Sequence, residues 1–302
     1  MMKKIRAEMM LGMSLLFLLL QGRTHGQSQS FNDGEKLQLP ASYKIDWMKS
    51  LDDNRLLSEV SLPGTHDTMA RYGGPASECQ AWTLEDQLKA GIRYLDLRVF
   101  AFEGKLYLMH GVIYQYSTFT EALNTIKTFL TNYPSEAVLV RVKPDMWDKS
   151  KVEGLVMKVI ANNANVWVQP TLPNIGQIRG KIVFVQKDSF KLGLPLLESD
   201  TKGDYEVVHI KDKERDIVKD LNQAMSVCGG PTAVLTYSSG TGIGTFEGMF
   251  LTPKRVAEKI DPWFYSYLQL LFNNGPGLCL GIVAMDFPGF DLIQTVIKFN
   301  NV

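Results

Sequence analysis

Short apolar runs alternate with amphipathic segments along most of this chain, and that alternation restricts the folds it can adopt. Between the runs, apolar residues recur at helical spacing, as in residues 119–134, where the pattern predicts a helix that stops before Pro134. Strands that alternate with helices favour parallel βαβ units. The strand-like runs lie at 59–64, 93–100, 105–111, 137–145, 180–188, 232–239 and 277–287.

The alternation predicts an α/β fold, and specifically a single, distorted (β/α)₈ barrel of the TIM type. A doubly wound sheet is the alternative, although no G-x-G-x-x-G follows the first strand, which argues against a dinucleotide fold. The chain has 302 residues, 45% of them hydrophobic, so it can bury a full core. Its formal net charge is zero, and therefore no basic field indicates a nucleic-acid partner.

The amino terminus has the pattern of a secretory signal peptide. Basic residues precede an apolar run over about 9–20, which is too short to span a bilayer comfortably, and small residues follow it. We therefore expect a secreted protein with a cleaved signal peptide over 1–26. An N-terminal extension over 27–45 and a catalytic barrel domain over 46–302 would follow it.

The chain contains three cysteines, Cys79, Cys228 and Cys279, which allow at most one internal disulfide. Secretion permits such a bridge. Cys279 lies in an apolar run and is expected to be a buried small hydrophobic residue, so Cys79–Cys228 is the expected pair if a bridge forms. No spacing of cysteine and histidine resembles a zinc site.

Polar residues recur where the predicted strands end. Because the active sites of barrels lie at the carboxyl ends of the strands, we expect these side chains to converge on one mouth. They are His66 and Asp67, Asp96 and Arg98, His110, Lys143 and Asp145, Lys187, Tyr237, and Asp286.

Histidines, carboxylates and an arginine together form a set that can move protons and hold a phosphate. Histidine titrates near neutrality, a carboxylate on its far ring nitrogen fixes the tautomer, and a guanidinium holds phosphate with its planar fork. Taken singly, each residue is more typical of a helix cap, a satisfied core histidine or a structural pair. Their joint placement at successive strand ends favours a phosphodiester-cleaving site without a metal.

Four motifs resemble a known family. SLPGTHDT (61–68), RYLDLRV (93–99), LMHG (108–111) and VLVRVKPD (138–145) are similar to the X-type barrel of phosphatidylinositol-specific phospholipase C, and most of all to its small secreted, bacterial-type members. The resemblance extends from about Asp46 to Phe287. It implies a lipid substrate at a membrane surface, a peripheral membrane contact, no cofactor and a monomeric enzyme.

The resemblance also implies a role for each strand-end residue. His66 resembles the general base that takes the proton of the inositol 2-hydroxyl, and Asp286 resembles its hydrogen-bonding carboxylate. His110 resembles the general acid, with Asp67 as its partner. Arg98 resembles the residue that holds the phosphate, with Asp96 supporting it.

Substrate contacts are implied for Lys143, Lys187, Asp145 and Tyr237. Two departures from the family pattern concern this group. Lys187 stands where close relatives have an arginine, and residues 204–212, which include His209 and Lys211, lack the expected glutamine–aspartate–x–tyrosine pattern.

The implied reaction is the cleavage of phosphatidylinositol, or of glycosylphosphatidylinositol anchors, to diacylglycerol and inositol 1,2-cyclic phosphate. Calcium-dependent relatives surround the phosphate with carboxylates, whereas this chain places Arg98 there, so we expect no metal requirement. Two alternatives remain open. One is a catalytically inactive module that binds inositol lipids, and the other is a second type of barrel phosphodiesterase, such as a glycerophosphodiester phosphodiesterase.

A lipid-cleaving enzyme that is soluble must reach the membrane surface with apolar side chains. The sequence offers a glycine-rich loop with four such residues: Ile243, Phe246, Met249 and Phe250. The apolar run at 262–272 has helical spacing and is interpreted as a buried helix.

Overall fold

The computed structural model describes residues 29–145, 150–161, 163–186, 190–198, 205–275 and 277–302. The predicted signal peptide and Lys187 lie outside the described residues. No helix within the described ranges is long and apolar enough to cross a membrane.

Strands and helices alternate along the described chain as the sequence predicts. The strands are β1 (Leu62–Thr65), β2 (Tyr94–Phe102), β3 (Lys105–His110), β4 (Ile113–Thr118), β5 (Val138–Pro144), β6 (Val166–Trp167), β7 (Ile182–Val185), β8 (Leu197–Glu198), β9 (Val234–Tyr237) and β10 (Ile282–Met285). The helices are α1 (Leu84–Ala90), α2 (Phe119–Asn132), α3 (Ser150–Ile160), α4 (Ile175–Ile178), α5 (Ile210–Ser226), α6 (Pro253–Asn274) and α7 (Phe290–Lys298).

A curved sheet of parallel strands forms the centre of the fold, in the order β6-β7-β5-β2-β1-β10-β9-β8. The ring returns to β7 through a single parallel bridge between Val185 and Leu194, which precedes β8. β7 and β10 are buried along their whole length, because side chains cover both faces of a parallel sheet. The predicted α/β barrel, with its distortion, is therefore confirmed.

One predicted strand has a different role from the one expected. The run at 105–111 does form β3, but β3 pairs antiparallel with β2 and lies outside the parallel ring. The two residues between them, Glu103 and Gly104, both have positive φ (45° and 73°), which is the backbone of a tight hairpin turn. β3 continues into β4, which the sequence pattern did not predict.

The long helix α6 confirms the expectation of a buried helix at 262–272. It contains Pro262 and buries Phe264 and Leu268 against the core.

Residues 29–32, which precede the barrel, hydrogen-bond to the chain just after its last strand, β10. The backbone N–H of Asn32 donates to the carbonyl of Phe287 at 2.8 Å, and that of Gly289 donates to Ser30 at 2.8 Å. A Cβ at position 289 would collide with the carbonyl of Gln29, so the close approach requires glycine.

The disulfide joins Cys228 to Cys279, with the Cα atoms 6.0 Å apart, and Cys79 is a buried free thiol. The predicted Cys79–Cys228 pair is wrong. Cys228 precedes β9 and Cys279 precedes β10, so both lie near the amino ends of neighbouring parallel strands. Cys79 lines a cavity at the opposite end of the barrel.

We predict one reactive thiol per denatured, unreduced chain, carried by Cys79. A Cys228→Ser/Cys279→Ser variant should lose about 2–4 kcal/mol of unfolding free energy, since the bridge restricts the unfolded chain. Urea titration measures this loss, and peptide mapping identifies the bridge. Cys79→Ser is the matched control, and loss of the cross-linked peptide in that variant would contradict the assignment.

Candidate active site

The carboxyl ends of β1, β2, β3, β5 and β10 surround a cavity of about 340 Å³. Of the six residues predicted to be catalytic, five line it and Asp96 lies buried behind it. Lys143 also lines the wall. The remaining lining residues are Ala76, Cys79, Tyr205, Gly240, Thr241 and Pro253.

A sharp turn after β1 presents His66 and Asp67 to this cavity. Asp67 has a left-handed backbone (φ 41°), which aspartate tolerates better than most residues, and its carbonyl accepts the N–H of Ala70 at 2.8 Å. Gly64 allows β1 to lie close to β2, because a Cβ there would be 2.7 Å from the ring of Tyr94. The local sequence PGTHD therefore fixes the direction of both side chains.

His66 is held at both ring nitrogens. Its Nδ1 lies 2.9 Å from Oδ1 of Asp286, and its Nε2 lies 2.8 Å from Nη2 of Arg98. A guanidinium can only donate, so Nε2 accepts and the ring proton sits on Nδ1, which donates to Asp286. Gln80, which the sequence reasoning missed, fixes the backbone nearby by donating to the carbonyls of His66 and Met285.

The pKa of His66 is raised above its ordinary value. Burial alone lowers it, because burial disfavours the charged ring, but the carboxylates of Asp67 and Asp286 offset this effect. Arg98 opposes them by a smaller amount. The imidazole is therefore a stronger base than a free histidine.

Arg98 lies between the carboxylates of Asp67 and Asp96. Its Nε contacts Asp67, and its Nη2 is 3.6 Å from Oδ2 of Asp96. Burial lowers the pKa of Arg98, but these carboxylates raise it by more than burial lowers it. The side chain therefore stays positively charged. The N–H groups that do not face these residues can donate to an anion in the cavity.

His110 approaches from the β3–β4 hairpin. Its Nδ1 donates to the carbonyl of Ser77 at 2.6 Å, and its Nε2 lies 3.2 Å from Oδ2 of Asp67. The carbonyl of Ser77 only accepts hydrogen bonds, so Nδ1 carries a proton, and Nε2 faces a carboxylate oxygen. This arrangement places a second histidine in the same cavity as His66.

Among the predicted substrate-contact residues that the structure describes, Lys143 lines the cavity, whereas Asp145 and Tyr237 do not. Lys143 lines the cavity, and its pKa is lowered first by burial and then by Arg98. Asp145 does not line the cavity; it accepts the N–H of Gly111 at 3.0 Å, and burial raises its pKa. Tyr237 packs edge-on against His66, with ring centroids 5.9 Å apart, and does not line the cavity.

Residues His209 and Lys211 lie outside the cavity lining. His209 is exposed at the start of α5, 3.7 Å from Glu247, and Lys211 pairs with Glu214. Cys79, Tyr205 and Thr241 line the cavity without having been predicted, because no motif or spacing marked them.

Three overlapping sets of side chains among the described residues bring possible metal ligands within 4.8 Å of one another. They are His66–Cys79–Asp286, Asp67–Cys79–His110 and His66–Asp67–Asp96. The guanidinium of Arg98 already contacts His66, Asp67 and Asp96, and its charge repels a divalent cation. The donor set is therefore compatible with the predicted metal-independent chemistry.

Known proteins resemble this chain in both sequence and structure. The family model "Phosphatidylinositol-specific phospholipase C, X domain" matches residues 54–188. The 1-phosphatidylinositol phosphodiesterase of Listeria monocytogenes is 27% identical over 91% of this chain and 91% of its own length. PI-PLC X domain-containing protein 2 of Homo sapiens is 30% identical over 32% of this chain and 42% of its own length.

Solved structures also resemble this chain. The phosphatidylinositol-specific phospholipase C from Listeria monocytogenes superimposes with a TM-score of 0.74 at 26% identity, covering 85% of this chain and 99% of the other. An enzyme of that name from Staphylococcus aureus has the same fold, with a TM-score of 0.72 at 19% identity, covering 85% and 98%. In sequence and in fold, the chain is therefore similar to bacterial-type phosphatidylinositol-specific phospholipase C, and its residues 54–188 match the X domain of that family.

Proposed function

We propose that this protein is a secreted phosphatidylinositol-specific phospholipase C that uses His66 as general base and His110 as general acid, without a metal. The observation that carries the proposal is the placement of two histidines in one cavity, both beside the Asp67 carboxylate, with Arg98 in contact with His66 and Asp67. His66 presents an unprotonated Nε2, and His110 is surrounded by acceptors. The disulfide supports secretion, because such bridges persist in oxidising compartments.

The first step is an attack within the substrate itself. Nε2 of His66 takes the proton of the inositol 2-hydroxyl, and the oxygen forms a bond to phosphorus. The positive charge that develops on the ring is stabilised by Asp286. Because the nucleophile is already part of the substrate, correct positioning supplies much of the rate.

The leaving group departs on the opposite side. As the bond between phosphorus and the diacylglycerol oxygen breaks, His110 gives its Nε2 proton to that oxygen. Arg98 and Lys143 provide fixed positive charge for the phosphoryl oxygens. The products are diacylglycerol and inositol 1,2-cyclic phosphate, and water can then open the cyclic ester with the two histidines in reversed roles.

Apolar side chains beside the cavity supply the membrane contact. Gly240 and Thr241 line the cavity wall, and the loop that follows exposes Phe246 by 92% and Phe250 by 72%. Met249 is also exposed. We assign this loop to the lipid surface, since burying a phenylalanine side chain contributes about 1.5–3 kcal/mol.

Turnover without metal is the direct test. A ³¹P NMR time course on phosphatidylinositol micelles in excess EDTA should show a cyclic phosphodiester signal. His66→Ala and His110→Ala should each lose about 10²–10⁴-fold in rate, the range of general acid–base catalysis.

Each other result has a defined meaning. Turnover that needs added Ca²⁺ would refute the metal-free mechanism. Lipid binding without turnover would favour the binding module, and hydrolysis of glycerophosphodiesters alone would favour the second phosphodiesterase class. A parallel assay on a glycosylphosphatidylinositol-anchored protein decides whether anchors are substrates.

The acid limb of the pH profile should reflect His66. Its raised pKa means that the neutral base is lost as the pH falls through a value above about 6.5. Asp286→Asn removes one of the carboxylates that raise this pKa, so the acid limb of kcat/KM should move to lower pH while kcat falls. Asp291→Asn, five residues along the chain, is the control. An unmoved limb in Asp286→Asn would contradict the role of this pair.

The loop makes a separable prediction about lipid binding. Phe246→Ala/Phe250→Ala should bind phosphatidylinositol vesicles at least about tenfold more weakly, because apolar burial is lost. Turnover of a soluble short-chain substrate should not change. Met249→Ala and Met157→Ala form a matched pair of exposed methionines, one in the loop and one on α3. Equal vesicle binding by those two variants would argue against the loop.

A further inference from the structure

Arg141 is a buried arginine below the candidate site that the proposed reaction does not use. It lies on β5 directly opposite Asp96 of β2, so the two side chains share one face of the sheet. Arg98 and Lys143 are opposite each other one step nearer the cavity, on the same face. The charged side chains therefore form two layers, with Asp96 and Arg141 in the lower layer.

The surroundings of Arg141 exclude a direct contact with substrate. The residue is 1% exposed and does not line the cavity. Nε lies 3.7 Å from Oδ1 of Asp96, and Nη2 lies 3.7 Å from Oε2 of Glu198. Among the residues that the structure describes, its Nε and Nη1 have no hydrogen-bond partner, and its charged contacts are with Asp96 and Glu198.

Two routes lead from Arg141 to the reacting groups. One passes through Asp96, which is also 3.6 Å from Arg98. The other passes through Tyr237, because the guanidinium lies over that ring at 5.6 Å and the ring packs against His66. Arg141 thus contacts both Asp96, which lies beside Arg98, and Tyr237, which packs against His66.

The positive charge of Arg141 helps to keep the carboxyl group of Asp96 ionised. Burial raises the pKa of Asp96, but Arg141 and then Arg98 lower it by more, so the carboxyl stays ionised. Without Arg141, the buried carboxylate of Asp96 would depend on Arg98 to balance its negative charge. Arg98 would then be pulled down toward Asp96 and away from the cavity.

We infer that Arg141 is a positioning residue, which balances the charge of Asp96 so that Arg98 remains free to hold the substrate phosphate. This inference rests on the proposed phospholipase C function. It predicts that Arg141→Met lowers kcat by about tenfold to a hundredfold, the cost of a small misplacement of a catalytic group. Arg141→Lys keeps the charge and should recover at least half of that loss on a logarithmic scale.

A double-mutant cycle separates positioning from general damage. If Arg141 acts through Asp96, Arg141→Met should have little further effect on kcat in an Asp96→Asn background. Multiplicative effects in the double variant would overturn the inference. Arg55→Met is the control, because Arg55 is a partly buried arginine that binds the carbonyls of Glu59 and Asn300 away from the cavity. It should reduce stability to urea without changing kcat.

A second measurement needs no turnover. The ¹⁵N NMR cross-peak of the Arg98 Nε–H, assigned by its loss in Arg98→Lys, should shift and exchange faster with water in Arg141→Met. It should stay unchanged in Arg55→Met. An unchanged cross-peak in Arg141→Met would overturn the inference. A wild-type protein that produces no cyclic phosphate would instead refute the proposed function, and the cross-peak would still test the role of Arg141.

Discussion

The contact of Arg98 with Asp67 and Asp96 is the interaction on which the candidate site depends. Both carboxylates are buried, and an unpaired buried charge is costly, so the arginine is as necessary to the fold as to the chemistry. Asp67 also faces His110, and Asp96 also faces Arg141. Positively and negatively charged side chains thus alternate from the interior of the barrel to its mouth. Each one helps to fix the position of the next.

The two ends of the barrel use charge in different ways. At the amino end, Arg93 is fully buried and donates twice to Oε2 of Glu136, at 2.9 and 2.7 Å, and to backbone carbonyls. Every polar atom of that guanidinium is satisfied within the protein, as a structural role requires. At the carboxyl end, Asp96 lies 3.6 Å from Arg98 and 3.7 Å from Arg141, and an open cavity adjoins this group. The disulfide Cys228–Cys279 lies at the amino end.

The sequence predicted the convergence of the site because parallel βα units place all carboxyl ends on one side of the sheet. His66, Arg98 and Asp286 could be assigned to that side without knowledge of any contact. The disulfide could not be predicted, because the sequence pattern does not show at which end of the barrel each cysteine lies. The hairpin was missed because Glu103-Gly104 is a weak turn signal, although His110 still reaches the mouth. Arg141 interrupts the apolar residues 138–142, and a charge at such a position is a signal of a buried ionic contact.

The pairing of the first and last barrel strands has a consequence for how the enzyme assembles. β1 lies between β2 and β10, and His66 and Asp286 are 220 residues apart in the chain. Contacts this distant in sequence form late, because a long loop must close before they contribute. His66 therefore acquires its carboxylate partner only when nearly the whole chain has been made and β10 has joined the sheet. A chain that stops short of Asp286 lacks this pair, so the proposed mechanism requires the last barrel strand to be in place.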